Sequence, residues 1–192
     1  FGFAGMSYMF ACVAKNVSNA GFQVHGKDAI NCIAESCGRG FYISSGMSGA
    51  INCTAYNNTG HGFEITGTSC VLTNCHSESN GDYGYKLLEN VSDGGMLINC
   101  SDYDNTSGRK QYSTNATYNF YDVGPVSLSS SGITSATDLT PNDTAGGGAL
   151  LRDKAMAFSN GQETLMDIGA VQHEPSSGSG GGSSSVHPLY LN

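Results

Sequence analysis

Residues 52–65 read NCTAYNNTGHGFEI, and the same text returns with substitutions at residues 12–24 (CVAKNVSNAGFQV), 31–43 (NCIAESCGRGFYI) and 74–87 (NCHSESNGDYGYKL). A weaker copy opens at Asn99-Cys100. A unit of 20 to 25 residues written in tandem predicts a solenoid whose coils stack on one another. After each glycine the residues alternate: Phe22 and Val24, Phe41 and Ile43, Phe63 and Ile65, Tyr85 and Leu87 face one way. Gln23, Tyr42, Glu64 and Lys86 face the other. Period two is a strand signature, and the abundance of Gly, Asn, Ser and Thr argues against helical repeats.

Equivalent residues recur at equivalent places, so strands of successive coils pair in parallel about 4.8 Å apart, with like side chains stacked. The expected interior files are Phe22, Phe41, Phe63 and Tyr85; Val24, Ile43, Ile65 and Leu87; and the cysteines Cys12, Cys32, Cys53, Cys75 and Cys100. Ala14, Ala34, Ala55 and Ser77 are expected at a bend where space is short. Asn31, Asn52, Asn74 and Asn99 suit a left-handed corner with amides bonded from coil to coil. Gly21, Gly40, Gly62 and Gly84 suit a second corner that requires positive φ or close backbone approach. Cysteine side chains pointing the same way do not meet disulfide geometry, so the column reads as a ladder of buried thiols. Pairing between Cys37 and Cys70 stays open.

The pattern NCxAxxNxGxGFxI resembles the right-handed parallel β-helix repeat family, the pectate-lyase-like superfold, over roughly residues 1–125. The resemblance implies an all-β fold: a single-stranded right-handed parallel β-helix with an irregular closing segment and a flexible tail. That family contains polysaccharide lyases and hydrolases, bacterial surface proteins, and fibres, tailspikes and other virion proteins of phages. Residues 138–172, with a DxxPND start and a DIGAVQ end, resemble the segment that closes many phage and environmental β-helices.

Gly2-Phe3 matches Gly21-Phe22, so the text begins in mid-coil, and the coils are expected to continue from an N-terminal part outside this sequence or to be covered by another chain. The expected divisions are coils over 1–125, a closing segment over 126–174, a Gly/Ser linker over 175–185 and a docking tail over 186–192. In that tail Val186, Leu189, Tyr190 and Leu191 are the partner-docking candidates, by strand addition to a neighbouring subunit.

With 12% charged residues and a formal net charge of -8, the chain is a poor partner for a nucleic-acid backbone or an anionic membrane surface. No stretch is long and apolar enough to span a bilayer. Five cysteines without a CxxC pair or a histidine at ligand spacing make no metal site, and no cofactor is expected. Ca²⁺ would enter only with a lyase.

Enzymes of this scaffold act on polysaccharides along one long face, by paired carboxylates or by a base that abstracts a proton. The weak catalytic candidates are Asp102 and Asp104, two apart and on one face if in a strand, and Glu64 with Lys86, which would form a cross-strand ion pair in adjacent coils. Glu78, Asp82, Asp93 and Asp122 are the remaining candidate carboxylates, while His25, His61 and His76 read as surface or turn residues. Tyr42, Tyr56, Tyr83 and Tyr103 are the candidates for carbohydrate contact, because an amphipathic ring suits a sugar face. No complete catalytic set is legible. The leading expectation is therefore a non-catalytic structural or receptor-facing element of an extracellular or virion-surface protein, meeting other copies or subunits and a cell-surface glycan. A polysaccharide lyase or glycoside hydrolase is the alternative.

Overall fold

The computed structural model describes residues 2–5, 8–44, 46–87, 95–111, 121–135, 137–152 and 168–169. Three short strands make each coil. The first coil holds β1 (Phe3–Gly5), β2 (Met9–Phe10) and β3 (Val13–Lys15); the second β4 (Ala20–Val24), β5 (Ala29–Ile30) and β6 (Ile33–Glu35). The third holds β7 (Arg39–Ile43), β8 (Gly49–Ile51) and β9 (Thr54–Tyr56); the fourth β10 (Phe63–Ile65), β11 (Val71–Thr73) and β12 (His76–Glu78). The fifth holds β13 (Tyr85–Leu87), β14 (Met96–Ile98) and β15 (Ser101–Tyr103); the sixth β16 (Lys110–Gln111), β17 (Tyr121–Val123) and β18 (Val126–Ser127). First, second and third strands of each coil stack into sheets A, B and C, each six-stranded and parallel. The chain is a parallel β-solenoid with three faces.

The corners follow from backbone chemistry. Ala11, Asn31, Asn52, Asn74 and Asn99, each just before a column cysteine, take φ between 50° and 53°. Asn16, Ser36, Asn57, Ser79 and Asp104, each four residues after it, take φ between 50° and 58°. Left-handed φ is tolerated by short polar side chains that bond locally, which is why Asn, Ser or Asp stands at every one of these positions except Ala11. Between them each cysteine thiol donates to the carbonyl oxygen two residues earlier, as Cys53 does to Ile51 at 3.4 Å and Cys75 to Thr73 at 3.4 Å. The same thiols reach the preceding coil, Cys53 to the Ala29 carbonyl and Cys75 to the Ala50 carbonyl, both at 3.3 Å. A small, apolar side chain with one weak donor is what this corner needs. All seven cysteines are free thiols, including Cys37 and Cys70, whose pKa values burial pushes up.

The aromatic file runs Phe3, Phe22, Phe41, Phe63, Tyr85, with rings nearly parallel and centroids 4.7 to 5.2 Å apart; Phe3 at its start is exposed and the other four are fully buried. Tyr85 ends the stack with its hydroxyl satisfied, donating to the Ser101 carbonyl at 2.8 Å and lying 3.0 Å from that of Cys75. Val24, Ile43, Ile65 and Leu87 form the neighbouring file in the expected register. Each phenylalanine so buried contributes on the order of 2 kcal/mol by area alone.

One expectation is corrected in detail. Ala14, Ala34, Ala55 and Ser77 sit at the centre of sheet C strands, facing inward, and not at a bend. Their smallness serves the glycine file instead: a Cβ on Gly40 would run into the carbonyl oxygen of Gly62 and the Cβ of Ala55, so close approach, without positive φ, explains that glycine. The interior also holds an amide ladder. Asn58, Asn80 and Asn105 lie five residues after successive column cysteines, and each Nδ2 donates to the next Oδ1 at 2.8 Å.

The expected closing element lies along the side of the solenoid. A two-stranded antiparallel hairpin, β19 (Ile133–Ser135) and β20 (Asp138–Pro141), and a 3-10 turn at Gly148–Leu150 follow the sixth coil. Here the Gly132 N–H donates to Glu78, and the Gly169 N–H donates to the Asn74 carbonyl at 2.9 Å, so this segment rests on the outer face of sheet C and its corner with sheet B. The linker and tail at 175–192, and the candidates Val186, Leu189, Tyr190 and Leu191, lie outside the described residues. No helix among the described residues is long and apolar enough to cross a membrane.

Candidate functional site

Side chains pointing outward from sheet A form the file Gln23, Tyr42, Glu64, Lys86, Gln111. Glu64 and Lys86 are register partners, as their spacing predicts, but the ion pair that Glu64 makes is with Arg39 of the third coil. The Arg39 guanidinium also lies 4.7 Å from the Tyr42 ring centroid. Beside them His61 faces Asp82 at 3.4 Å and Tyr83 with centroids 6.2 Å apart. Burial, with Lys86 nearby, pushes the His61 pKa below its ordinary value against the opposing pull of Asp82 and Glu64, so the imidazole is neutral at neutral pH.

Sheet C carries a second polar constellation. Its outward file is Lys15, Glu35, Tyr56, Glu78, Tyr103, with Lys15 and Glu35 paired at 2.7 Å. His76 and Glu78 are buried, 1% and 2% exposed. The His76 Nε2 lies 2.9 Å from a Glu78 oxygen and its Nδ1 lies 2.9 Å from the Ser101 hydroxyl. Glu78 also accepts the Ser131 hydroxyl and the Gly132 N–H. Burial alone would raise the Glu78 carboxyl; the imidazole and these two donors hold it below the ordinary range. The sequence reading of His76 as a surface or turn residue is therefore corrected: the closing segment covers it.

Where the apolar interior ends, charge replaces it. Lys110 follows Tyr85 in the aromatic file, Asp122 follows Leu97, and Asp102 follows Ser77. Arg109 pairs with both carboxylates, bonds the Cys100 carbonyl at 2.9 Å, and lies 5.6 Å from the Tyr85 ring centroid; Lys110 pairs with Asp122 at 2.7 Å. Burial opposes ionisation of Asp122, but Lys110 and Arg109 hold its pKa below the usual carboxylate range. The network closes the coil end with groups that water tolerates, as solenoid termini require.

The four candidate tyrosines do not share a surface. Tyr42 lies on sheet A, Tyr56 and Tyr103 lie one coil to either side of Glu78 on sheet C, and Tyr83 sits in the turn beside His61. Asp102 is inward on β15, whereas Asp104 occupies a corner with φ of 50°, so the two do not share a strand face. Among the described residues no group of three or more His, Cys, Asp or Glu side chains is placed to hold a metal ion. The Arg109 network escaped the sequence reading because it joins residues from different sheets, and the His76–Glu78 pair, although both lie on β12, because the Ser131 and Gly132 groups that complete it come from a later segment. The appearance of charge at Lys110 and Asp122, whose files are aromatic or apolar in the earlier coils, was the available signal for the first.

Comparison with protein-family models, curated proteins and solved structures finds no match to this chain.

Proposed function

We propose that this chain is a structural β-helix element of a larger extracellular or virion assembly, akin to the phage fibres and tailspikes that its repeat resembles. It serves as a rigid spacer or receptor-facing segment that meets other subunits and cell-surface carbohydrate without turning it over. The observation that carries this reading is the engagement of the candidate acids. Glu64 is tied to Arg39, Glu78 to His76 and the closing segment, and Asp102 and Asp122 to Arg109. A general acid must hold a proton near working pH, and Glu78 and Asp122 are tuned the opposite way. The polar file of sheet A, with Tyr42 backed by Arg39, is the surface this reading gives to sugar contact.

A second reading, a polysaccharide lyase or hydrolase, draws on one arrangement: Glu64, His61 and Asp82 lie near one another and Lys86 on sheet A. Incubation with acidic and neutral polysaccharides separates the two. The structural reading expects retention on immobilised glycan with no new chain ends, and release of unsaturated or reducing ends would overturn it.

A further inference from the structure

The column cysteines are translated copies of one another. Cys12, Cys32, Cys53, Cys75 and Cys100 each donate to the carbonyl oxygen two residues earlier, at 3.3 or 3.4 Å in every case. From the second coil on, each thiol also meets a carbonyl of the preceding coil, those of Met9, Ala29, Ala50 and Leu72 in turn, at 3.3 to 3.5 Å. The residues that follow them, Val13, Ile33, Thr54, His76 and Ser101, are register partners from coil to coil. Successive sulfurs therefore stand one coil apart along the axis, about 4.8 Å. Cys32, Cys53, Cys75 and Cys100 are fully buried, while Cys12 at the start of the file is partly exposed.

That spacing selects a ligand. Ions that prefer tetrahedral coordination need three or four donors around one centre, which a single file of thiols does not supply. A soft d¹⁰ ion in linear coordination needs two thiolates, and two collinear metal–sulfur bonds of about 2.2 to 2.4 Å span about 4.4 to 4.8 Å. The separation of neighbouring sulfurs matches that span. Carbonyl oxygens, the other groups these sulfurs touch, are hard donors and do not compete for such an ion.

Charge sets how the file fills. Burial disfavours a bare thiolate, so each proton leaves only as a metal–sulfur bond forms. The first ion replaces two protons, and its complex of two thiolates and one Cu⁺ carries one negative charge in an apolar interior. Each later ion enters the next gap, replaces one proton and brings one positive charge, so the net charge of the file stays the same. The cost of burying charge falls on the first ion alone, and filling is cooperative. Five thiolates accommodate four ions and release five protons to solvent, with no change of oxidation state.

We propose that the cysteine column is a binding site for soft monovalent ions, Cu(I) by preference, held in linear coordination between successive thiolates. Cys12, the partly exposed end of the file, gives the ions their entry.

The test titrates the full chain anaerobically with Cu(I) delivered as its bicinchoninate complex and counts bound ions by native mass spectrometry, with circular dichroism as the check on the fold. The expected result is a chain that carries either no ion or four, with intermediates scarce. Cys12→Ala shortens the file and should lower the capacity to three, and Cys53→Ala divides it into two pairs and should lower it to two. Cys37→Ala, outside the column, should leave it at four. Absence of uptake, a capacity unchanged by Cys53→Ala, a capacity lowered by Cys37→Ala, or uptake only with loss of the strand signal would overturn the proposal.

Discussion

The carboxylate of Glu78 accepts a hydrogen bond from the backbone N–H of Gly132, 2.9 Å away and 54 residues further along the chain. Through it a strand of the fourth coil fastens the segment that follows the sixth.

Removing that carboxylate leaves His76 and two buried donors without their shared partner. Glu78→Ala is expected to cost about 3 kcal/mol in urea unfolding. The pH dependence has a definite sign. Because the folded pKa of Glu78 is depressed, its contribution is present above the unfolded value of about 4.3 and is lost as pH falls through the lower folded value. Amide exchange at Gly132 and Ile168 should accelerate below about pH 4 while the sheet A ladder stays protected, and Glu78→Gln should abolish that dependence.

Phe63 stacks between Phe41 and Tyr85 at centroid distances of 4.7 and 5.2 Å and is fully buried. Phe63→Ala opens a cavity with no flexible neighbour to fill it and should cost about 3 to 5 kcal/mol, seen as a lower urea midpoint with an unchanged slope. Phe63→Leu should cost about 1.5 kcal/mol or less.

Asn80 donates to the Asn105 Oδ1 at 2.8 Å and accepts from the Asn58 amide at 2.8 Å. Asn80→Asp turns the donating end into an acceptor facing an acceptor, with no cation to balance it. The new carboxyl has a raised folded pKa, so the loss is greatest at neutral pH, about 3 kcal/mol, and shrinks as acid protonates it. Thermal unfolding at pH 7 and pH 4 measures the difference, which Asn80→Ala should not show.

The solenoid was legible because like stacks on like: cysteine, phenylalanine and asparagine at fixed offsets announce the ladder without any tertiary knowledge. The amide ladder was harder to see. Its position is Val17 in the first coil and Cys37 in the second, and only from Asn58 onward does the residue type settle. The three-strand cross-section was hidden because most strands span two or three residues, too short for a clear alternation. Burial of His76 and Glu78 could not be read from their own repeat, which places them outward; a segment more than fifty residues later covers them. Glu64 found Arg39 in place of Lys86 because a long guanidinium side chain reaches diagonally across the strand pair.

Arg109 neutralises Asp102 and Asp122 at the end of the coil stack. Arg109→Met leaves Asp102 without its cation and Asp122 with Lys110 alone, and should cost about 3 kcal/mol. The loss should be local first, with amides of β16 to β18 exchanging faster than those of β7 to β12. Without the guanidinium the Asp122 pKa rises back toward its ordinary value, so the variant recovers part of its deficit in mild acid, which stability curves at pH 7 and pH 4.5 would record.

The most direct measurement places stability and turnover side by side in the wild-type chain, Glu64→Gln and Asp102→Asn. The account predicts that Asp102→Asn unfolds at lower urea than the wild type, that Glu64→Gln shifts the midpoint little, and that none of the three releases chain ends from any polysaccharide offered. Release by the wild type that disappears in either variant while its urea midpoint is unchanged would contradict it.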